Sequence, residues 1–284
     1  MNILTSQILK SISKFYNQNK SELQKHLLSS QKPCKQSKYD ICVIATILVA
    51  YQFSGYKNFK LFYVKNYQKL KRALNKVPSY SWFLRLQKSC LFLMLAYLQS
   101  QKGQKTGIYF IDSTPIKVCN NRRIHNHKVM NGIATRGHHS MGWFYGFKLH
   151  LVINHQGEIM DVYFSKANKD DRIGLDKMTK DLKGKLFGDK GYISEKHKKM
   201  LKKQNLKLIT KVRKNMKPQK LTKLEKALLY KRGIVETVIE QLKRTFAIEN
   251  QRVRSFYGLC ALIASAIIAY NLKSSKPKLT LCLR

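Results

Sequence analysis

The spacing of apolar residues changes at Gly107, and this change limits the folds open to the chain. Before it, apolar residues recur at helical intervals. In 3–16, Ile8, Leu9, Ile12, Phe15 and Tyr16 share a face, and 39–53 is an apolar helix ending near Ser54-Gly55. Segments 58–66 and 67–75 continue the pattern. Pro78-Ser79 breaks it, and 81–100 reads as another long helix with a serine cap. After Gly107 the period is that of strands. Ile108-Tyr109-Phe110-Ile111 is a short apolar run. Phe147, Leu149 and Leu151 alternate within 144–153, and 157–164 follows the turn His155-Gln156-Gly157. A helix over 171–182, a strand over 185–189, a helix over 194–205, a strand over 206–212 and a long helix over 222–248 interrupted at Gly233 complete the order. Three sequential strands and then alternating helices and strands predict an α/β fold, a mixed sheet with helices on its faces.

The charge is as uneven as the period. Lys and Arg number 55 against 15 acids, a net +40, while 44% hydrophobic residues exclude wholesale disorder. So large an excess repels itself in a compact chain unless a polyanion screens it, which points to nucleic acid first and an anionic membrane second. Residues 1–111 hold 18 Lys or Arg and only Glu22 and Asp40 as acids; the other 13 acids begin at Asp112. We expect a basic helical part over 1–105, a larger part over 106–250 that holds any carboxylate chemistry, and a C-terminal helix with a basic tail over 251–284. The first part suits a helix-turn-helix-like module, which the charge favours over a small helical subdomain without base readout. The apolar runs 41–53 and 259–272 fall short of the roughly 20 residues of a membrane span, and no amphipathic helix has a basic face that favours membrane binding. Residues 1–7 do not read as a signal peptide. Six scattered cysteines without a Cys-x-x-Cys pair argue against a disulfide framework or a cysteine zinc site. No phosphate-cradling Gly-x-x-x-x-Gly-Lys-Ser/Thr motif is present, so no nucleotide cofactor is implied.

With so few acids, each invites a reason. Asp112 follows four apolar residues and Asp189 follows Leu186-Phe187-Gly188, both where a central strand would leave the sheet. Either could simply cap a turn, but a buried carboxylate needs a partner, and a hard divalent cation such as Mg²⁺ suits its oxygens. Arg232, Glu236 and Lys243 are spaced to share one helix face, as a surface salt-bridge ladder would also be. Two strand-end aspartates and a helix glutamate can hold two metal ions for phosphodiester displacement. Lys190, Arg232 and Lys243, the basic run at Arg213 and Lys214, and Arg252 and Arg254 are candidate phosphate contacts. His125-Asn126-His127 and His138-His139 lack a zinc ligand pattern, and 120–141 reads as a flexible basic loop able to reach DNA. Asp170 and Asp171 read as helix-opening acids, and Gly157, Gly188 and Gly191 as turn glycines.

Four segments in this order carry a resemblance: Ile111-Asp112-Ser113-Thr114, Gly146-Phe147-Lys148-Leu149-His150, Gly188-Asp189-Lys190-Gly191-Tyr192 and Lys231-Arg232-x-x-x-Glu236. Together they resemble the DDE transposases of bacterial insertion sequences, most of all the insertion-sequence family numbered 982, over most of the chain. The resemblance implies an RNase H-like core and a metal-dependent enzyme that cleaves and joins DNA at the ends of its own element. It implies Asp112, Asp189 and Glu236 as the three catalytic, metal-binding acids, with two Mg²⁺ ions that Mn²⁺ can replace. Related enzymes carry a Tyr-Arg-Glu-Lys signature near the cleavage site. Arg232, Glu236 and Lys243 fit its spacing, while Tyr230 is one residue too close to the arginine. Asp189 and Glu236 are only 47 residues apart, which leaves no room for a large inserted domain. The implied partners are double-stranded DNA, both terminal inverted repeats and target, and a second copy of the chain; the implied location is the bacterial cytoplasm, at the nucleoid. Two rivals are a stand-alone RNase H-type nuclease and a DNA-binding protein that no longer catalyses.

Overall fold

A computed structural model describes residues 2–29, 38–212, 215–216, 220–246, 248–249 and 253–280. It divides into two compact units, Met1–Gln101 with Leu242–Leu272, and Lys102–Gln241 with Lys273–Arg284.

The first unit is helical: α1 (Asn2–Gln18), α2 (Lys20–Ser29), α3 (Ile41–Gln52), α4 (Phe59–Leu74), α5 (Tyr80–Leu86) and α6 (Leu91–Ser100). It also contains the late helix Phe256–Leu272. The apolar α3 is buried from Cys42 to Gln52, and its start is fixed by Asp40, whose side chain accepts from the Cys42 N–H. The late helix packs on α3 and α6 and is buried from Leu259 through Ala269 apart from Cys260. Gln52 Nε2 donates to Ser265 Oγ at 2.8 Å, which satisfies two polar groups in this interior. Among the described residues no helix is long and apolar enough to cross a membrane. The reading of 81–100 as one helix is corrected, because the chain leaves the helix after Leu86 and resumes at Leu91. Ser79 precedes α5 without a capping bond.

The second unit is a six-stranded mixed sheet: β1 (Ile108–Cys119), β2 (Thr135–His139), β3 (Gly142–Asn154), β4 (Ile159–Lys166), β5 (Gly184–Gly188) and β6 (Leu206–Thr210). β3 pairs antiparallel with β1 on one side, and with β2 and β4 on the other. β5 runs parallel to β1, and β6 parallel to β5. Helix α7 (Leu175–Thr179) and helix α8 (Glu195–Lys203) follow β4 and β5. Tyr109, Ile111 and Leu186 on the sheet join Leu175 and Met178 of α7 and Leu201 of α8 in one apolar cluster. After β6 come α9 (Lys223–Tyr230), a tight turn over Lys231–Gly233, and α10 (Ile234–Arg244); the late helix Phe256–Leu272 is α11. The interruption expected at Gly233 is thus present, and the helix stops at Arg244, short of 248.

The expected loop over 120–141 is corrected. It contains tight helical turns at Asn121–Arg123 and Lys128–Met130, and then β2. Thr135-Arg136-Gly137-His138-His139 has no apolar alternation to announce a strand, and its backbone pairing to the edge of β3 supplies the order. The helix expected over 171–182 contracts to α7, with the left-handed Gly174 before it. Gly188 ends β5 and is not a turn glycine; a Cβ there would stand 3.1 Å from Ile111 Cγ2. Gly146 is needed in its strand: it has φ +155, and a Cβ would stand 2.1 Å from the Ile116 carbonyl oxygen on β1. Gly146→Ala should cost about 3 kcal/mol through backbone clash and strain. An unchanged urea midpoint would show that the β1–β3 pairing yields easily.

Candidate active site

Strand register sets the site. The parallel β1–β5 pairing ends with Phe110 opposite Phe187. Two residues further on each strand come Asp112 and Asp189, at the same level and on the face of Phe110 and Phe187, because side chains alternate. The sequence reading placed Asp112 at the end of its strand. It lies within β1, which continues to Cys119 along β3; what ends beside it is the β5 neighbour. On that side the ladder opens, which leaves room at the carboxyl end of a parallel strand.

The turn and helix after α9 bring the other groups. Arg232 Nη1 is 4.0 Å from Asp112 Oδ2, and Arg232 Nη2 is 3.8 Å from Asp189 Oδ1. Nη2 also donates to Glu236 Oε1 at 2.9 Å. One guanidinium therefore faces three carboxylates. Asp112 is the most enclosed of the three, with its side chain 22% exposed against 51% for Asp189 and 57% for Glu236. The Asp112 carboxyl is pushed up to about 6, chiefly by burial. The Ser113 N–H, donating to Asp112 Oδ1 at 2.8 Å, and Arg232 pull the other way, while Glu236 and Asp189 add like charge. Arg232 Nη1 is buried without a hydrogen-bond partner among the described residues.

α9 is held on the sheet by a residue the sequence reading passed over. Glu225 Oε1 accepts from Lys207 Nζ at 2.8 Å and lies 3.3 Å from Lys185 Nζ, so it ties α9 to β6 and β5. The Thr222 hydroxyl accepts from the Glu225 N–H, and Glu225 Oε2 accepts from the Thr222 N–H, a reciprocal cap. The motif Thr222-Lys223-Leu224-Glu225 is legible as such a cap in the sequence. A second missed group lies beside Asp112: Ser113 Oγ donates to Asp171 Oδ1 at 2.8 Å, and Lys148 Nζ donates to the same oxygen at 2.9 Å. Asp171 is therefore tied to the residue after Asp112, and the helix-opening role expected for it is corrected. Asp170 instead holds Arg172.

The structure brings Asp112, Asp189, Arg232 and Glu236 together. Lys190 follows Asp189, exposed and without an ion pair among the described residues. Lys243 lies 2.8 Å from Glu249, and Arg254 lines a cavity of the first unit. Arg213, Lys214 and Arg252 lie outside the described residues. The histidines of 125–139 are spread over the two turns and β2: His138 stacks edge-on against Trp143, and His139 Nδ1 lies 3.1 Å from Ser140 Oγ. Among the described residues no three His, Cys, Asp or Glu side chains are grouped to hold a metal ion as they stand. The donor chemistry nevertheless fits one, because three carboxylates converge on a single cationic group, and their hard oxygens suit Mg²⁺ once Arg232 yields its place.

Acidic side chains at the open end of a parallel strand pair, on a mixed sheet flanked by helices, define an α/β domain of the kind that carries its chemistry at the strand ends. Residues 102–256 match the family model described as Transposase DDE domain, more than half of the chain, and the chain belongs to that family. Its place is thus in DNA transposition and recombination, with DNA as the partner class. No curated protein and no solved structure matches the chain.

Proposed function

We propose that this chain is the transposase of a bacterial insertion sequence, most like the family numbered 982. It binds the terminal inverted repeats of its element and catalyses strand cleavage and strand transfer through Asp112, Asp189 and Glu236. The observation that carries this reading is the level placement of Asp112 and Asp189 where β5 leaves β1, with Arg232 and Glu236 over them. The strand order supports an RNase H-like core, with β1 central, antiparallel β3 on one side and parallel β5 and β6 on the other.

Asp112, Asp189 and Glu236 would hold divalent metal, two Mg²⁺ or Mn²⁺ ions in our reading. Such ions supply a hydroxide-like nucleophile at neutral pH and offset charge on the leaving oxygen. The protein's own groups set the geometry. The Ser113 N–H fixes one Asp112 oxygen, Ser113 and Lys148 are locked through Asp171, and Glu225 holds α9, the helix that leads through the Lys231–Gly233 turn into α10 and Glu236. Arg232, released from the carboxylates, turns to a phosphate oxygen, and Lys190 contacts the neighbouring phosphate. Cleavage uses water to break one phosphodiester and leaves a 3′-hydroxyl. Transfer then exchanges one phosphodiester for another and needs no nucleotide.

We assign DNA binding to the basic helical part over 1–105, in a helix-turn-helix-like manner, and catalysis to 106–250. Segment 251–284, with Arg252 and Arg254, gives further phosphate contact, as do Arg213, Lys214 and Lys243. Two copies act on two ends, in the cytoplasm at the nucleoid. The test is a labelled duplex carrying the element end, incubated with Mg²⁺ or with EDTA, beside Asp189→Ala. Metal-dependent cutting at the end, absent from the mutant, is expected. Cutting of any duplex without joining would favour a stand-alone nuclease, and binding without nicks a silent DNA-binding protein.

A further inference from the structure

Within the first unit, a cavity of about 330 Å³ is lined by Lys57, Lys60, Tyr80, Gln87, Arg254 and Ser255, among others. No acid lines it. Lys57, Lys60 and Arg254 have no ion pair among the described residues. Two long helices begin at its wall. α4 has 16 residues and starts after Asn58, whose side chain accepts from the Leu61 N–H. α11 has 17 residues and starts after Ser255, whose hydroxyl accepts from the Gly258 N–H. The first N–H groups of each helix lack an intrahelical partner, and the helix dipoles favour an anion there.

Gln87 adds an observation of a different kind. It is 6% exposed, yet its side-chain amide makes no hydrogen bond among the described residues. Its Oε1 lies at the first turn of α11, 3.2 Å from where a Cβ on Gly258 would stand. The amide lines the cavity and is free to hydrogen-bond a polar ligand there. The volume equals roughly eleven water molecules at about 30 Å³ each, room for a phosphate and an attached sugar.

We infer that this cavity is a phosphate subsite that takes one backbone phosphate, with its sugar, of a DNA strand. Lys57, Lys60 and Arg254 neutralise the phosphate, the two helix starts offer N–H groups, and the Gln87 amide hydrogen-bonds an ester or sugar oxygen. The inference rests on the proposed DNA binding and adds to it a defined place where a strand is gripped.

The test is fluorescence anisotropy of the full chain with a labelled 30-base-pair duplex of arbitrary sequence, in EDTA, over a range of NaCl concentrations. Lys57→Ala and Arg254→Ala should each lower the slope of log affinity against log salt by about 0.9, the value for one phosphate contact. Gln87→Leu, which changes no charge, should weaken binding roughly tenfold at fixed salt without altering the slope. Lys202→Ala, on the exposed surface of α8 in the second unit, should leave the slope unchanged. Thermal midpoints establish that each variant is folded, and Lys57→Ala alters only an exposed rim side chain. Wild-type affinity and slope in all three cavity variants would overturn the subsite. Equilibrium dialysis with inorganic phosphate alone separates the sources: tight one-to-one uptake, with duplex binding untouched by the variants, would assign the cavity to free phosphate and overturn the DNA assignment. Failure of the wild type to bind any duplex would instead remove the functional reading beneath it.

Discussion

Asp112→Asn should reduce strand cleavage at least about a thousandfold and leave the fold intact or slightly more stable. Asparagine keeps the shape and can still accept the Ser113 N–H through its amide oxygen, so only the charge is removed. A carboxylate that holds a catalytic cation is worth several kcal/mol of transition-state charge stabilisation, and about 4 kcal/mol is a thousandfold in rate. The stability effect has the opposite sign. The Asp112 carboxylate is enclosed and shares its neighbourhood with Asp189 and Glu236, so its charge works against folding, and the neutral amide should gain up to about 1 kcal/mol. Rate and urea midpoint measured on the same preparation check both halves. Full cleavage by the folded Asn variant would take Asp112 out of the chemistry, and a large loss of stability would show that its charge serves the fold.

The acids were legible because the chain has so few of them. Asp112 and Asp189 each follow an apolar run, and Glu236 lies four residues beyond Arg232. The family was legible from four short segments in order, and the family match bears out the DDE transposase expectation. What the sequence hid is what depends on neighbours distant in the chain. β2 has no hydrophobic alternation, since its order comes from an edge already present. Asp171 looked like a helix-opening acid because its partners, Ser113 and Lys148, are 58 and 23 residues away. Spacing put Arg232, Glu236 and Lys243 on one helix face, with Arg232 as a phosphate contact or part of a surface ladder, whereas the turn at Lys231–Gly233 directs Arg232 inward to all three acids. The break between α5 and α6 carries neither proline nor glycine, so no local signal marks it.

Glu225→Ala should be the most damaging single change outside the apolar interior of the second unit, costing about 2–3 kcal/mol. Removing one partner of a buried ion pair costs roughly 3–5 kcal/mol, and the figure is lower here because both lysines keep access to water. Part of the loss is the reciprocal cap of α9, about 1 kcal/mol. The pH dependence has a definite sign. The Lys207 hydrogen bond, then the Thr222 N–H, hold the Glu225 carboxyl down at about 2 in the folded chain, against an ordinary 4.5. A depressed folded value means the contribution is complete above about 4.5 and is lost as the pH falls toward 2. Wild type should therefore lose stability across that window more steeply than Glu225→Gln. Parallel curves for the two proteins would show that the carboxylate does not support the fold. Cleavage should fall in Glu225→Ala even at temperatures where the protein stays folded, because α9 leads into the turn that presents Arg232 and on into α10, which carries Glu236.

The β1–β5 register also determines where the chain tolerates a change in length. Asp112 and Asp189 lie level because each is two residues beyond the last paired position, Phe110 opposite Phe187. A single-residue deletion within 108–111 or 184–188 would reverse the sidedness of everything after it and turn an aspartate through the sheet into the layer of Tyr109, Ile111 and Leu186. The turn at His155-Gln156-Gly157 carries no such parity. A library of one-residue insertions and deletions along the second unit should therefore give uniform intolerance along these two strands and wide tolerance at surface turns, a map of frame sensitivity written by the sheet and not by the side chains it carries.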